Sequence, residues 1–314
     1  MTAIPSLKLN TGALIPAIGL GAAAGFTPED IAGSKAWILG ALKVRHRPQW
    51  VAFANPRETA GGLPPLDTAM MYGTEAAVGA AVRESGIPRE EIFVTSKAPW
   101  HHMEYIPRSF NESLSNLGLD YIDLYMLHWP QTVKYPGGYD APTDLPSIIT
   151  QLKTLEKIYA TGKAKAIGVS NFSIKTLEQL FKTAKIVPAV NQIELNPYLA
   201  QTELVEYCKS KGIVVVAYSP TGHATVRGDP LIIELAAKYK VSPAQIILAW
   251  HVARGVVAVP KSQDPVRQKE NITLPPLSAE DVAKITGLDH GERIVNKLGP
   301  DGTLYGWTKE QLGW

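Results

Sequence analysis

Four side chains in this sequence have types and spacings that can move a proton. Asp67 and Tyr72 lie in Asp67-Thr68-Ala69-Met70-Met71-Tyr72-Gly73-Thr74-Glu75, which reads as a strand end breaking into a loop and then a helix. A carboxylate and a phenol at such a junction can face one pocket. A phenol, with an ordinary pKa of about 10, becomes a usable acid only beside a fixed positive charge. Lys97, at the end of the next apolar run, supplies that charge and is expected to lower the pKa of Tyr72. Asp67 can pair with Lys97 and hold the ammonium in place. His128, one apolar run further on, can orient a carbonyl, and Trp129 beside it offers an apolar wall. Such a set suits protonation of a carbonyl oxygen while a hydride arrives at carbon. Each residue also has a plainer reading: a helix cap for Asp67, a snorkelling strand-end lysine for Lys97, a satisfied core histidine for His128. On three successive strand ends, the joint reading is the stronger one.

The elements that must position them follow from the apolar pattern. Strands are expected at Leu66–Ala69, Ile92–Ser96, Ile122–His128, Ala164–Ser170, Ala189–Glu194, Val214–Ser219 and Val256–Pro260, with a short one around Gly19. Helical stretches fall near 76–84, 107–117, 144–161, 174–184, 202–211, 230–238 and 243–253. Runs such as Ile213-Val214-Val215-Val216-Ala217 are apolar without alternation, as strands covered on both faces should be. Eight βα units predict an α/β fold, a closed (β/α)8 TIM barrel. A hairpin over Leu7–Pro16 precedes it and a loop segment follows it. Gly21, Asp67, Lys97, His128, Ser170-Asn171, Gln192, Tyr218-Ser219 and Lys261-Ser262 then all fall at C-terminal strand ends, where barrel active sites are built.

With 314 residues, 45% hydrophobic and 19% charged, the chain can bury one large core, so residues 1–314 are expected to form a single domain. A net charge of +2 with interspersed signs leaves no basic stripe, which argues against nucleic-acid binding. No window is apolar for long enough to span a membrane. The single cysteine, Cys208, excludes an internal disulfide framework and reads as a packed, inert thiol. No signal peptide is read at Met1–Lys8, so the protein is expected to be cytoplasmic, and the Asn-x-Ser/Thr matches at Asn111, Asn171 and Asn271 read as chance.

Six motifs in order carry a resemblance over nearly the whole chain. They are Asp67-Thr68-Ala-Met-Met-Tyr72-Gly73-Thr-Glu75, Val94-Thr95-Ser96-Lys97, Asp123-Leu124-Tyr125-Met126-Leu127-His128-Trp129-Pro130, Gly168-Val169-Ser170-Asn171-Phe172, Asn191-Gln192-Ile193-Glu194-Leu195-Asn196-Pro197 and Val259-Pro260-Lys261-Ser262. The chain resembles the aldo-keto reductases, and its ending, Gly306–Trp314, is similar to the fungal glycerol dehydrogenase and polyol reductase branch. The resemblance implies a (β/α)8 barrel that binds NADPH/NADP+ without a Rossmann fold and is commonly monomeric. It implies Tyr72 as general acid, Lys97 and Asp67 as its tuning pair, and His128 as the carbonyl orienter. It implies Ser170, Asn171 and Gln192 as holders of the nicotinamide carboxamide, Tyr218 as the residue stacked on the ring, and Glu270 and Asn271 as adenine contacts. Gly21 and Ser219 sit on the same cofactor rim.

The cofactor's phosphate has a local argument as well. Pro265 suits the first turn of a helix, and Lys261, Ser262 and Arg267 can converge there on a dianion, which favours NADPH over NADH. Trp100, His101 and Trp129 are expected to line the substrate mouth. His101-His102 lacks the partners of a zinc site, so no metal is expected. Gly19-Leu20-Gly21-Ala22-Ala23-Ala24-Gly25 imitates a dinucleotide fingerprint without its spacing, and Gly19 and Gly21 read as close-packing residues. Tyr207-x-x-x-Lys211 reads as coincidence on an outer helix, and His223 is given no role.

One stretch departs from the pattern. Residues 45–65 carry neither helical nor strand period and make the crossover between Gly21 and Asp67 about twenty residues longer than the family requires. Ala22-Ala23-Ala24 and the placement of Trp100 also depart from the family, in ways expected to reshape the substrate pocket. Two functions are weighed. One is an NADPH-dependent reductase of aldehydes and ketones. The other is a non-catalytic cofactor- or partner-binding barrel whose second strand the 45–65 insertion has pushed out of register.

Overall fold

The structure, a computed structural model, describes residues 4–25, 27–45, 65–131 and 148–314. An antiparallel hairpin opens the chain, β1 (Ser6–Lys8) on β2 (Leu14–Pro16), with Gly12 at φ 90° in its turn. Eight parallel strands follow: β3 (Leu20–Gly21), β4 (Leu66–Asp67), β5 (Val94–Ala98), β6 (Leu124–Leu127), β7 (Ile167–Ser170), β8 (Val190–Glu194), β9 (Val214–Tyr218) and β10 (Val257–Ala258). Each pairs with its neighbour in sequence order. Closure comes from a parallel bridge between Ile18 and Ala258, supported by the Gly21 amide on the Pro260 carbonyl. The expected barrel is therefore present, with strands shorter than the apolar runs because residues at each end turn into loops.

Helices cover the outside: α1 (Pro28–Arg45), α2 (Glu75–Glu84), α3 (Ile106–Leu117), α4 (Ile148–Ala160), α5 (Ile174–Phe181), α6 (Thr202–Ser210), α7 (His223–Arg227), α8 (Pro230–Tyr239), α9 (Pro243–Ala253), α10 (Pro265–Asn271) and α11 (Ala279–Thr286). Their starts are chemically marked. Ser173 and Ser242 form capping boxes, and Asp229, Asp264 and Ser278 accept from first-turn amides. Where α2 crosses α3, a Cβ on Gly79 would lie 1.7 Å from the Leu117 carbonyl oxygen, so only glycine permits that approach.

Two layers make up most of the apolar core of the described residues, and a small third cluster packs Ile18 and Ala258 against Leu248 and Leu274. Leu124, Met126, Val190, Val216 and Val257 fill the barrel together with Leu9 and Ile15 of the hairpin, which closes the N-terminal mouth. A larger layer, including Leu66, Val94, Leu127, Val169 and Ile193, packs strands against helices. With the N-terminal mouth shut by Leu9 and Ile15, the open rim is the C-terminal one. Past α11 the chain returns over that rim as β11 (Thr303–Leu304), β12 (Trp307–Thr308) and α12 (Lys309–Leu312), a hairpin and turn that the expected loop segment did not anticipate.

Most of the 45–65 insertion lies outside the described residues. Its expected effect on strand two can still be judged. Leu66 pairs with Leu20 and Val94, and Asp67 with Gly21 and Thr95, so β4 is in register on both sides. Among the described residues no helix is long and apolar enough to cross a membrane.

Candidate active site

Lys97 is fully buried inside the barrel, and its Nζ donates to three oxygens: Asp67 Oδ2 at 2.8 Å, the Thr68 carbonyl at 3.0 Å and Tyr72 Oη at 3.4 Å. Asp67 ends β4, and its second oxygen accepts from Gln192 Nε2 at 2.8 Å. Tyr72 ends a single 3-10 turn, Met70–Tyr72, closed by Gly73 in the left-handed region. Its hydroxyl stands 3.5 Å from His128 Nε2. The four expected residues thus converge. Lys97 is the penultimate residue of β5 and Gln192 lies inside β8, a little deeper than the rim position expected of them.

Burial pulls the Lys97 ammonium down, but Asp67 and Tyr72 outweigh it and hold the lysine above its ordinary pKa. Burial likewise pushes the Tyr72 phenol up. Lys97 pulls against that rise without reversing it. The expected lowering of Tyr72 is therefore corrected: the attraction is present, but desolvation at the rim exceeds it. Tyr72 accordingly holds its proton at neutral pH, and Lys97 stands ready to stabilise the phenolate that donation leaves. Burial, reinforced by Lys97, holds His128 well below its ordinary value, so its imidazole is neutral.

The expected cofactor residues fall into two groups. Ser170 ends β7, and Asn171 follows it at φ 65° with Nδ2 on the His128 carbonyl at 2.9 Å. Tyr218 ends β9 and donates to Asn171 Oδ1 at 2.6 Å. Ser219 follows at φ 46°. The second group surrounds the end of β10. Lys261 Nζ reaches the Ala24 carbonyl at 2.9 Å, Ser262 Oγ meets the Asp264 carbonyl at 3.3 Å, and Arg267 is exposed with its Nε 3.9 Å from Asp264. Glu270 and Asn271 end α10. Gly21 acts as a close-packing residue: a Cβ there would lie 2.9 Å from the Val259 carbonyl oxygen.

Aromatic rings gather beside His128. Trp100 lies with its ring centroid 5.9 Å from His128, 5.8 Å from His101 and 4.5 Å from Tyr305. Trp129 also meets Tyr305, edge to face, with ring centroids 5.2 Å apart. Among the described residues no His, Cys, Asp and Glu cluster could hold a metal. Tyr207 donates to Glu178 on the outer helices, far from the rim, and Cys208 is buried with its thiol pushed up to about 11.

Several site residues were missed by the sequence reading. Glu194 Oε1 accepts the backbone amides of Ile294 and Val295, at 2.6 and 3.0 Å. Asn296 Nδ2 donates to Tyr218 Oη at 2.7 Å, and Gln131 Nε2 to the Leu304 carbonyl at 3.2 Å. Arg293 lies 3.3 Å over the Trp314 ring. These contacts fasten the C-terminal return to the rim. The Glu194 and Gln131 contacts join residues a hundred or more positions apart, and no local pattern announces them.

The sequence model of the aldo/keto reductase family matches residues 62–290. The chain is 40% identical over 313 residues to glycerol 2-dehydrogenase (NADP(+)) of Saccharomyces cerevisiae, covering 92% of this chain and 93% of the relative. It is 38% identical over 312 residues to an aldehyde reductase of the same yeast, covering 92% and 93%. The crystal structure of a silkworm aldo-keto reductase complexed with NADPH superposes with a TM-score of 0.81 at 30% identity, over 94% of this chain and 90% of that one.

Proposed function

The chain belongs to the aldo/keto reductase family, and on that premise we propose that Tyr72 is the proton donor of an NADPH-dependent reduction of aldehydes and ketones to alcohols. The observation that carries the residue roles is that Lys97 Nζ donates to both Asp67 Oδ2 and Tyr72 Oη, with His128 Nε2 3.5 Å from the same hydroxyl. The donor set suits the cofactor. Neutral amide and hydroxyl groups (Ser170, Asn171, Gln192) stand beside the proton donor, as a carboxamide requires, and the cations Lys261 and Arg267 stand where a phosphate can be met. When bound, NADPH supplies the hydride.

The chain's own residues do the rest. His128 and Tyr72 orient the carbonyl oxygen, His128 as a neutral imidazole that can donate a hydrogen bond from Nε2. Tyr72 gives up its proton to that oxygen, and Lys97 stabilises the phenolate that remains. Asp67, tied also to Gln192, keeps Lys97 charged and aimed. Trp100 and Trp129 exclude water from the apolar side. Tyr218 and Ser219, with Glu270 and Asn271, complete the cofactor contacts, and His101 lies at the mouth. We take the chain to act as one catalytic domain, a cytoplasmic monomer with small-molecule partners and no nucleic acid. The alternative of a disabled barrel has no support, since β4 keeps its register.

The test is a fluorescence titration with NADPH and NADH, followed by absorbance at the reduced-nicotinamide band with a panel of small aldehydes. NADPH binding with turnover supports the reading. A folded protein that binds neither nucleotide defeats it.

A further inference from the structure

Glu75 is a carboxylate buried to 2% exposure whose hydrogen bonds come from neutral donors. Ser96 Oγ donates to Oε1 at 2.6 Å and Asn116 Nδ2 to Oε2 at 3.0 Å. It opens α2 immediately after the Tyr72 turn, with only Gly73 and Thr74 between them. Ser96 immediately precedes Lys97. Side chains alternate along a strand, so Ser96 faces the helices while Lys97 faces the barrel interior. Glu75 therefore grips the outer side of the strand segment whose inner side presents Lys97.

We propose that Glu75 is a positioning residue for proton transfer, fastening the turn that carries Tyr72 to the strand that carries Lys97. The proposal rests on the reading of Tyr72 as proton donor. Three observations carry it. The Tyr72–Lys97 and Tyr72–His128 separations, 3.4 and 3.5 Å, both lie at the long edge of hydrogen-bonding range, so a small drift of the turn breaks them. Asn116 holds the second carboxylate oxygen from α3, and the backbone approach at Gly79 stops α2 from sliding past α3. A second tie, Thr68 Oγ1 to Thr74 Oγ1 at 2.9 Å, closes the same loop, and the Thr68 carbonyl is itself a ligand of Lys97. A buried carboxylate is costly where a leucine or methionine would fill the space. What the carboxylate adds is a fixed distance between donor and ammonium.

The experiment compares Glu75→Ala, Glu75→Gln and Ser96→Ala with the parent enzyme. Loss of the tie lets Tyr72 move off Lys97, which weakens the downward pull on the phenol. Glu75→Ala and Ser96→Ala are expected to lower kcat for aldehyde reduction roughly tenfold to a hundredfold, the scale of an ångström misplacement. The alkaline limb of the kcat profile should move to higher pH, and the NADPH Kd should stay within about twofold of the parent. Glu75→Gln, whose amide oxygen can accept from Asn116 while its NH2 donates to the Ser96 hydroxyl, is expected to recover most of kcat. A parent-like kcat and alkaline limb in both truncations, with only a lowered Tm, overturns the proposal. If Glu75→Ala does not fold, Ser96→Ala decides by the same readouts. Turnover that survives Tyr72→Phe would defeat the underlying reading instead, so the two failures are separable.

Discussion

The two ends of the proposed cofactor groove are built on opposite principles. At the proton-donor end, Lys97 and Asp67 are almost wholly removed from water, and every polar atom of the ammonium is spoken for by Asp67, Thr68 and Tyr72. At the phosphate end, Arg267 is 64% exposed and its Nε meets Asp264 only at 3.9 Å. The first end is preorganised: its charges are oriented before any substrate arrives, so no reorganisation is needed at the moment of reaction. The second is a surface clasp, suited to a group that must bind and leave in every turnover. Chemistry and exchange are thus separated along one rim.

The sharpest way to break this contrast is Tyr72→Phe. It should cut turnover by about 10²- to 10⁴-fold, the usual worth of a general acid, while NADPH binding measured by fluorescence persists. Next in size is Lys97→Met, which strands a buried Asp67. It should cost about 3–5 kcal/mol of stability in urea denaturation, beyond any effect on activity.

Acid pH probes burial through two histidines, His128 at the proton-donor end and His251 on α9, beside the Pro220 carbonyl. Burial keeps His128 neutral and holds His251 down to about 3, whereas the unfolded chain takes up those protons near pH ~6.5. Their contribution is intact above that value and is lost as pH falls below it, because the unfolded state then binds more protons. His251 alone should remove about 2–3 kcal/mol between pH 6.5 and 4.5, read as a fall in the urea midpoint that His251→Gln reduces.

Arg267→Ala should give the smallest effect. We expect the NADPH Kd to rise about tenfold and the NADH Kd to stay unchanged. The parent's NADPH affinity should weaken as salt rises, because an exposed charge is screened. A salt-insensitive Kd would erase the distinction between the two ends.

Much of this was legible in the residues. Apolar runs without alternation gave the strand count, and the strand-end positions of Asp67, His128, Ser170 and Tyr218 sorted the site residues onto one rim before any contact was known. The net shift of Tyr72 was not legible, because it depends on how much water the rim excludes, and no single residue encodes that. Nor was the C-terminal return. Glu194 reads as one letter in a strand motif, and only the fold brings Ile294 and Val295 to it. Glu75 was visible as a motif residue, yet its grip on Ser96 required knowing which way that strand's side chains point.

The bridge between Ile18 and Ala258 has a consequence for synthesis. A ribosome delivers Asp67, Tyr72, Lys97 and His128 early, but the stave that closes the ring, and Lys261 just beyond it, come some 130 residues after His128. Contacts this distant in sequence make closure the slow, cooperative event of folding. A chain stopped before Val257 would carry all four proton-transfer residues and still be an open sheet with two bare edges, prone to pair with its neighbours.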